Sequence, residues 1–141
     1  MKRRAWMRQA RERVATAIEF ALLFPLLMLI VFGIIDFGRA LNAQITLTQA
    51  AREGARLDAV GQPNGTVVAQ TQAAATGLSP VNVAETACVP GAGPTANAVV
   101  TVSYSFNFVT PIGAIAGLIG GSGSLGSPVT LTAQGVMPCE T

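Results

Sequence analysis

The sequence lacks histidine altogether, and its 141 residues include one tryptophan, one tyrosine and two cysteines. Without histidine, Ser-His-Asp and Cys-His catalysis are excluded. Two cysteines alone do not supply the roughly four ligands of a structural zinc site. No Gly-Lys-Ser/Thr follows the glycine-rich residues 120–123, so a phosphate-binding loop is not indicated. We therefore predict a protein that is not an enzyme and that holds no metal and no cofactor.

Charged residues are also few, at 11% of the chain, and their distribution is uneven. Six of the nine basic residues lie within the first 13 positions, whereas the remainder of the chain is slightly acidic. A nucleic-acid-binding role lacks a basic patch outside this cluster. Because the cluster directly precedes an apolar segment, it is typical of the cytoplasmic flank that orients a membrane helix. Residues 1–14 are thus predicted to be a basic cytoplasmic leader.

The apolar segment spans residues 14–35, and Glu19 is its one charged residue. A helix of this length rises about 33 Å, close to the ~30 Å hydrocarbon core of a bilayer. Pro25 lies inside it, which membrane helices tolerate. We predict one transmembrane helix over residues 15–35, with the N-terminus in the cytoplasm and the rest of the chain outside. The alternative is a cleaved secretory signal, although the residues after Ile35 match a small-residue cleavage site poorly.

Glu19 lies four or five positions inside the apolar segment. A carboxylate at the middle of a membrane helix costs ~2.5–3.5 kcal/mol, and less near the interface. One interpretation is an interfacial carboxylate that reaches water. The other is a carboxylate that needs a cationic partner, which no nearby residue of the segment supplies. That cation would come from another chain or from a new N-terminus created by proteolysis.

Residues 36–60 are predicted to continue the membrane helix into water, because helix formers dominate and proline is absent. Phe37, Leu41 and Ile45 also recur at a helical spacing, followed by Thr48 and by Ala51 or Arg52. Residues 61–141 are predicted to form a small extracytoplasmic module, whose alternating apolar residues indicate strands with one buried face. The fold class is therefore α+β, with a long N-terminal helix, a short helix and an antiparallel sheet of about three strands. The predicted elements of the module are a helix at 66–77, capped by Gly77, and strands at 81–88, 97–108 and 129–137.

Both cysteines, Cys88 and Cys139, follow the membrane segment. If that part is exported, its compartment permits disulfides. We predict that the two cysteines pair within the chain. Two free thiols or an intermolecular bond are the alternatives.

Residues 109–126 are the least regular part of the predicted module. The first part, 109–119, is mostly apolar, and 120–126 is rich in glycine and serine. The apolar part is too short to span a membrane. It either caps the module's own core or contacts the membrane surface or another subunit.

Three stretches of the sequence occur in a recognisable order. Residues 15–27 read ATAIEFALLFPLL, residues 32–40 read FGIIDFGRA and residues 50–56 read AAREGAR. Together they resemble TadE-like proteins, which are pseudopilins of the tight-adherence pilus system. Residues 136–140 resemble the common ending of that family.

The resemblance implies that a membrane prepilin peptidase removes the leader between Val14 and Ala15. Glu19 is then the fifth residue of the mature chain, within the helix motif that it shares with Phe20 and Pro25. The new α-amino group of one subunit neutralises this glutamate in an assembled neighbour. Val14 stands where the broader type IV pilin-like group usually carries glycine, and an unprocessed chain would act as a plain membrane-anchored component.

The resemblance also implies a structural role in assembly, as a minor pseudopilin of the cell (inner, cytoplasmic) membrane. Its expected partners are the lipid bilayer, other pilin-like subunits with their assembly machinery, and the prepilin peptidase. Arg52, Glu53, Gly54 and Arg56 are interpreted either as a solvated helix face or as a subunit-docking site. The alternative functions are a single-pass membrane-anchored binding module with no pilus role and a secreted enzyme released by signal cleavage.

Overall fold

The computed structural model describes residues 2–88, 96–110 and 127–140, with side chains from Thr16 onward. Two helices precede a three-stranded antiparallel sheet with strand order β1-β2-β3. The predicted α+β class, with one long helix, one short helix and three strands, is confirmed. The elements are α1 (Lys2–Ala59), α2 (Asn64–Ala74), β1 (Val81–Thr86), β2 (Asn97–Phe106) and β3 (Val129–Pro138).

Helix α1 is continuous through Pro25 and ends close to the predicted position. Gly61 adopts a left-handed φ of 74°, which glycine reaches without a Cβ penalty. Its N–H donates to the carbonyl of Asp58 at 2.9 Å, and the N–H of Gln62 donates to the carbonyl of Leu57 at 3.1 Å. This pair of bonds is a Schellman motif, which satisfies carbonyls that the helix itself leaves unpaired.

Helix α2 begins two residues earlier and ends three residues sooner than predicted. The carbonyl of Pro63 accepts bonds from the N–H groups of Thr66 and Val67, so the first turn forms directly after the proline. The prediction that Gly77 caps this helix was wrong, because the helix ends at Ala74 and Ala75 occupies the cap position. Gly77 has a φ of 78° and lies in the turn that leads toward β1.

All three predicted strands are present, although each ends at a different residue from the one predicted, β3 one residue later at Pro138. β1 stops at Thr86 and β2 stops at Phe106, each two residues before the predicted end. One face of β2 is buried through Ala98, Val100 and Val102, as the alternation predicted.

The core lies between this sheet face and the two helices. α1 contributes mostly small side chains to it, and the sheet contributes valines and alanines. The apolar stripe of Phe37, Leu41 and Ile45, which indicated a helix in the sequence, lies on the exposed side of α1. Buried on the opposite side are Ala43, Leu47, Ala50, Ala51 and Ala55.

Two cysteines close the module at the end distant from the apolar segment. Cys88 and Cys139 lie at disulfide distance, with Cα atoms 5.8 Å apart and a sequence separation of 51. The N–H of Cys139 also donates to the carbonyl of Ala96 at 3.0 Å, next to the start of β2. Apart from Val109 and Thr110, the predicted apolar loop at 109–119 lies outside the described residues.

Candidate functional site

Residues 16–35, which we call the apolar half of α1, present an apolar surface that the rest of the described structure leaves uncovered. A stretch near the N-terminus of α1 is long and apolar enough to cross a membrane, and none of its residues is buried within the protein. The exposed side chains include Phe20, Leu22, Leu26 and Ile34, the last with 69% of its surface accessible. Exposed apolar surface on this scale marks contact with lipid or with another apolar partner.

Glu19 lies on this apolar surface and is exposed. The next side chain along the helix, Phe20, contacts Phe24, with ring centroids 5.7 Å apart. No lysine or arginine occurs between Arg13 and Arg39, so this stretch of helix itself brings no cation to Glu19. Glu19 is thus an exposed carboxylate among exposed apolar side chains of α1.

Asp36, the first residue after the apolar segment, forms a second polar feature. It is 2% exposed, and its carboxylate accepts bonds from the N–H of Val109 at 3.0 Å and of Thr110 at 2.8 Å. The hydroxyl of Thr110 donates to the same carboxylate, and Arg39 donates to it at 3.1 Å. One side chain therefore fastens the chain just beyond β2 to α1 at the point where the apolar segment ends.

The bonds around Asp36 account for its electrostatics. The hydroxyl of Thr110 is the main cause that lowers the pKa of Asp36, to about 2, against the opposing effect of burial. The N–H groups of Val109 and Thr110 and the guanidinium of Arg39 act in the same direction as the hydroxyl. Asp36 is thus a buried anion whose oxygens are satisfied by protein donors instead of water.

Arg39 links this carboxylate to the aromatic residues at the end of β2. Its guanidinium lies 5.3 Å from the centre of the Phe106 ring, within cation–π range. Phe106 in turn packs edge to face against Phe108, with centroids 5.4 Å apart. We refer to residues 106–110 as the β2 tip.

The sheet runs alongside α1 from Asp36 to the end of the helix. The side-chain amide of Gln44 donates to the carbonyl of Thr132 at 2.9 Å, two helical turns beyond Asp36. Farther along, Gly135 faces Ala51, and an added Cβ there would lie 2.2 Å from the Ala51 oxygen. At the end of the helix, the N–H of Glu140 donates to the carbonyl of Ala59 at 3.1 Å. Four positions spaced along α1 therefore contact the sheet or the chain segments that directly adjoin its strands.

The structure separates the four residues of the predicted docking motif. Gly54 is buried, and a Cβ there would lie 2.3 Å from the Thr71 hydroxyl. Arg52 and Arg56 are exposed, and Arg56 forms an ion pair with Glu53 at 3.0 Å. The hydrogen bond with Arg56 lowers the pKa of Glu53 and raises that of Arg56. Gly54 thus packs the helix against α2 and β2, while the charged residues lie on the other side.

A pair of acidic residues joins the ends of three elements, a feature that sequence reasoning missed. Asp58 near the end of α1 is 2% exposed, and Glu85 on β1 faces the same core. Asp58 Oδ2 and Glu85 Oε2 are buried without a hydrogen-bond partner in the described part of the chain. Burial and then the charge of Asp58 raise the pKa of Glu85, against a hydrogen bond from Asn64 at the start of α2. The inward position of Glu85 in the strand alternation was the one signal available in the sequence.

Other predicted site residues are placed as follows. Pro25 lies within the exposed apolar half of α1. Val14 and Ala15 lie on α1 before the first described side chain, so their environment is not among the described features. The part played by Asp36 was not predicted, although a carboxylate directly after an apolar segment is itself a signal.

The model of the TadE-like protein family matches residues 15–56. This range contains all three stretches that carried the resemblance, which is thereby confirmed over these residues. No curated protein and no solved structure matches the chain.

Proposed function

Since residues 15–56 match the TadE-like family, we propose that this protein is a membrane-anchored, pilus-associated component, a minor pseudopilin of a tight-adherence system. Its role is structural: it holds a small extracytoplasmic module at the membrane and packs its apolar helix against the helices of other subunits. The observation that carries the proposal is the uncovered apolar half of α1 with Glu19 on its surface.

The physical argument starts from the cost of an isolated carboxylate in lipid, which is ~2.5–3.5 kcal/mol near the middle of the bilayer. A cation within a few ångströms offsets that cost, and α1 has none between Arg13 and Arg39. Cleavage between Val14 and Ala15 creates one, the α-amino group of Ala15. In an assembly of parallel helices, this group on one subunit pairs with Glu19 on the next.

Substitution of Glu19 tests the proposal. We expect Glu19→Ala to leave membrane insertion intact, as measured by resistance to alkaline extraction, and to reduce the number of surface pili severalfold. Glu140→Ala is the control, because it removes an exposed carboxylate that lies outside both the apolar segment and the candidate docking motif. Normal piliation in the Glu19→Ala strain would contradict the assembly role and favour a membrane-anchored binding module.

Processing has its own measurement. We expect the intact mass and N-terminal sequence of the protein from native membranes to correspond to a chain that begins at Ala15. A chain that still begins at Met1 or Lys2 would remove the proposed cation and with it the pairing of Glu19.

A further inference from the structure

The contacts of Asp36 show where the sheet lies along the α1 axis relative to the apolar segment. Ile35 is the last residue of that segment, and it is 49% exposed. Asp36 follows directly and binds the backbone of Val109 and Thr110. Because a helix rises about 1.5 Å per residue, the β2 tip lies within a few ångströms of Ile35 along the helix axis, where the continuous apolar segment ends.

Contacts farther along α1 show where the opposite end of the sheet lies on the same axis. Gly135 on β3 is packed against Ala51, and Glu140 binds Ala59. Ala51 is 15 positions beyond Asp36 in the sequence, which corresponds to about 22 Å along the helix axis. The sheet therefore stands with the β2 tip toward the apolar segment and the disulfide away from it.

The residues exposed at the level of Asp36 combine apolar and cationic character. Phe37 is 66% exposed and Val109 is 65% exposed. The side chain of Arg39 is 48% exposed while it holds Asp36. A mixture of apolar side chains and a cation suits the bilayer surface, where acyl chains meet lipid phosphates.

The hydrogen bonds to the Asp36 carboxylate also suit a location at the bilayer surface. A carboxylate near the hydrocarbon boundary loses water, and its burial is tolerated only when other donors replace that water. Here Val109, Thr110 and Arg39 supply those donors.

We propose that the β2 tip lies on the extracytoplasmic surface of the bilayer, with Val109 and Phe37 against the lipid and Arg39 beside the phosphates. The module then stands directly on the membrane, without a helical stalk between the two. This inference rests on the membrane span proposed above, and its surface is continuous with the apolar surface of that span.

The test uses single-tryptophan variants of the full-length protein in phosphatidylcholine vesicles. The natural tryptophan, Trp6, is replaced first by Trp6→Phe, because it is the one tryptophan of the chain. Three reporters are then compared: Val109→Trp at the β2 tip, Val136→Trp at the far end of β3, and Leu27→Trp within the apolar segment. All three positions are exposed, at 65%, 53% and 56% respectively, so tryptophan is accommodated at each.

Quenching by brominated lipids gives the result. We expect lipids brominated near the carboxyl ends of their acyl chains to remove a large fraction of the Val109→Trp emission and to leave Val136→Trp unchanged. Lipids brominated deeper in the chains should quench Leu27→Trp. Asn107→Trp, at another exposed position of the β2 tip, should behave like Val109→Trp and guards against a local defect at residue 109.

Three outcomes would overturn the inference. Quenched Leu27→Trp with unquenched Val109→Trp and Asn107→Trp would place the β2 tip away from the bilayer and leave the membrane span intact. Equal quenching at residues 109 and 136 would mean that the module lies flat on the lipid. Unquenched Leu27→Trp would remove the membrane span itself, and the inference with it.

Discussion

The two halves of α1 belong to one continuous helix, yet they are built from different side chains and have different surroundings. From Ile18 to Phe37, large apolar side chains cover the helix and remain exposed. From Ala43 to Ala59, the side that packs is made mostly of alanine, and it is buried against the sheet and α2.

The difference shows that burial within this protein follows side-chain size more than hydrophobicity. Small residues let the sheet approach the helix backbone, as Gly135 does at Ala51. Large residues on the first half remain exposed in the described part of the chain. They need a partner outside the protein, which the proposed function identifies as lipid and other helices. Variants of the packed half should therefore change the stability of the module while leaving membrane insertion unaffected.

The largest effect on the packed half is expected from the disulfide. Cys88→Ser opens a loop of 51 residues, and loop-closure entropy then predicts a loss of about 4 kcal/mol in the free energy of unfolding. Denaturant titration of the full-length protein in detergent micelles, followed by the near-ultraviolet circular dichroism of Tyr104, measures this loss. Cys88→Ser/Cys139→Ser controls for an effect of the freed thiol and should show the same loss. A double variant as stable as the unsubstituted protein would contradict the prediction.

Two leucines on opposite sides of α1 sharpen the comparison. Leu47 is fully buried, so Leu47→Ala leaves a cavity and should cost about 3 kcal/mol in the same titration. Leu41 is 50% exposed, so Leu41→Ala should cost less than about 0.5 kcal/mol. Equal losses in the two variants would show that the two sides of this helix segment are not packed differently.

Two glycines, one in tight contact and one in open space, should give smaller changes in the free energy of unfolding when each is replaced by alanine. Gly135→Ala places a Cβ 2.2 Å from the Ala51 carbonyl oxygen, which forces the sheet off the helix and should cost about 2 kcal/mol. Gly38→Ala is the control on α1 itself, because open space surrounds that position. It should raise helix stability by up to about 1 kcal/mol through backbone entropy. A stable Gly135→Ala protein would contradict the close approach of sheet and helix.

Sequence patterns predicted the elements of this fold well because those patterns are local. The alternation around Val100 and Val102 identified β2, and the helical spacing of Phe37 and Leu41 identified the continuation of α1. The spacing did not reveal which side of α1 packs, because the stripe with the greater hydrophobicity is the exposed one. Packing against a sheet instead selected the alanines, whose role depends on how closely another element approaches.

The residues of the candidate site likewise differ in whether their local sequence predicts their role. Glu19 was predictable from its apolar neighbours in sequence, since a charge in such a segment is conspicuous. Asp36 was not, because the two backbone groups that donate to it are 73 and 74 positions away and no local pattern relates them to it. The proximity of Glu85 to Asp58 likewise depends on how β1 packs against the end of α1.

The smallest expected effect is a gain in stability when Glu85 is replaced. Burial and the charge of Asp58 raise the pKa of Glu85 above 4.5, so the folded state binds a proton there more tightly than the unfolded chain does. The stabilisation from that proton is fully present below the unfolded pKa and is lost as pH rises through the folded pKa. As pH rises through the folded pKa, Glu85 gains its charge beside Asp58, and one buried oxygen of each side chain lacks a hydrogen-bond partner among the described residues.

Glu85→Gln removes the charge that Glu85 gains and should raise Tm at pH 7 by a few degrees, a difference that shrinks as pH falls toward the unfolded pKa of Glu85. Glu53→Gln is the control with the opposite sign, because Arg56 lowers the pKa of Glu53 and the charged form is the favoured one. That variant should lose a little stability above the unfolded pKa of Glu53, and this loss should disappear as pH falls through the lower folded pKa. Thermal scans across this pH range distinguish the two, and a Tm difference for Glu85→Gln that does not change with pH would show that its effect is one of packing and not of charge.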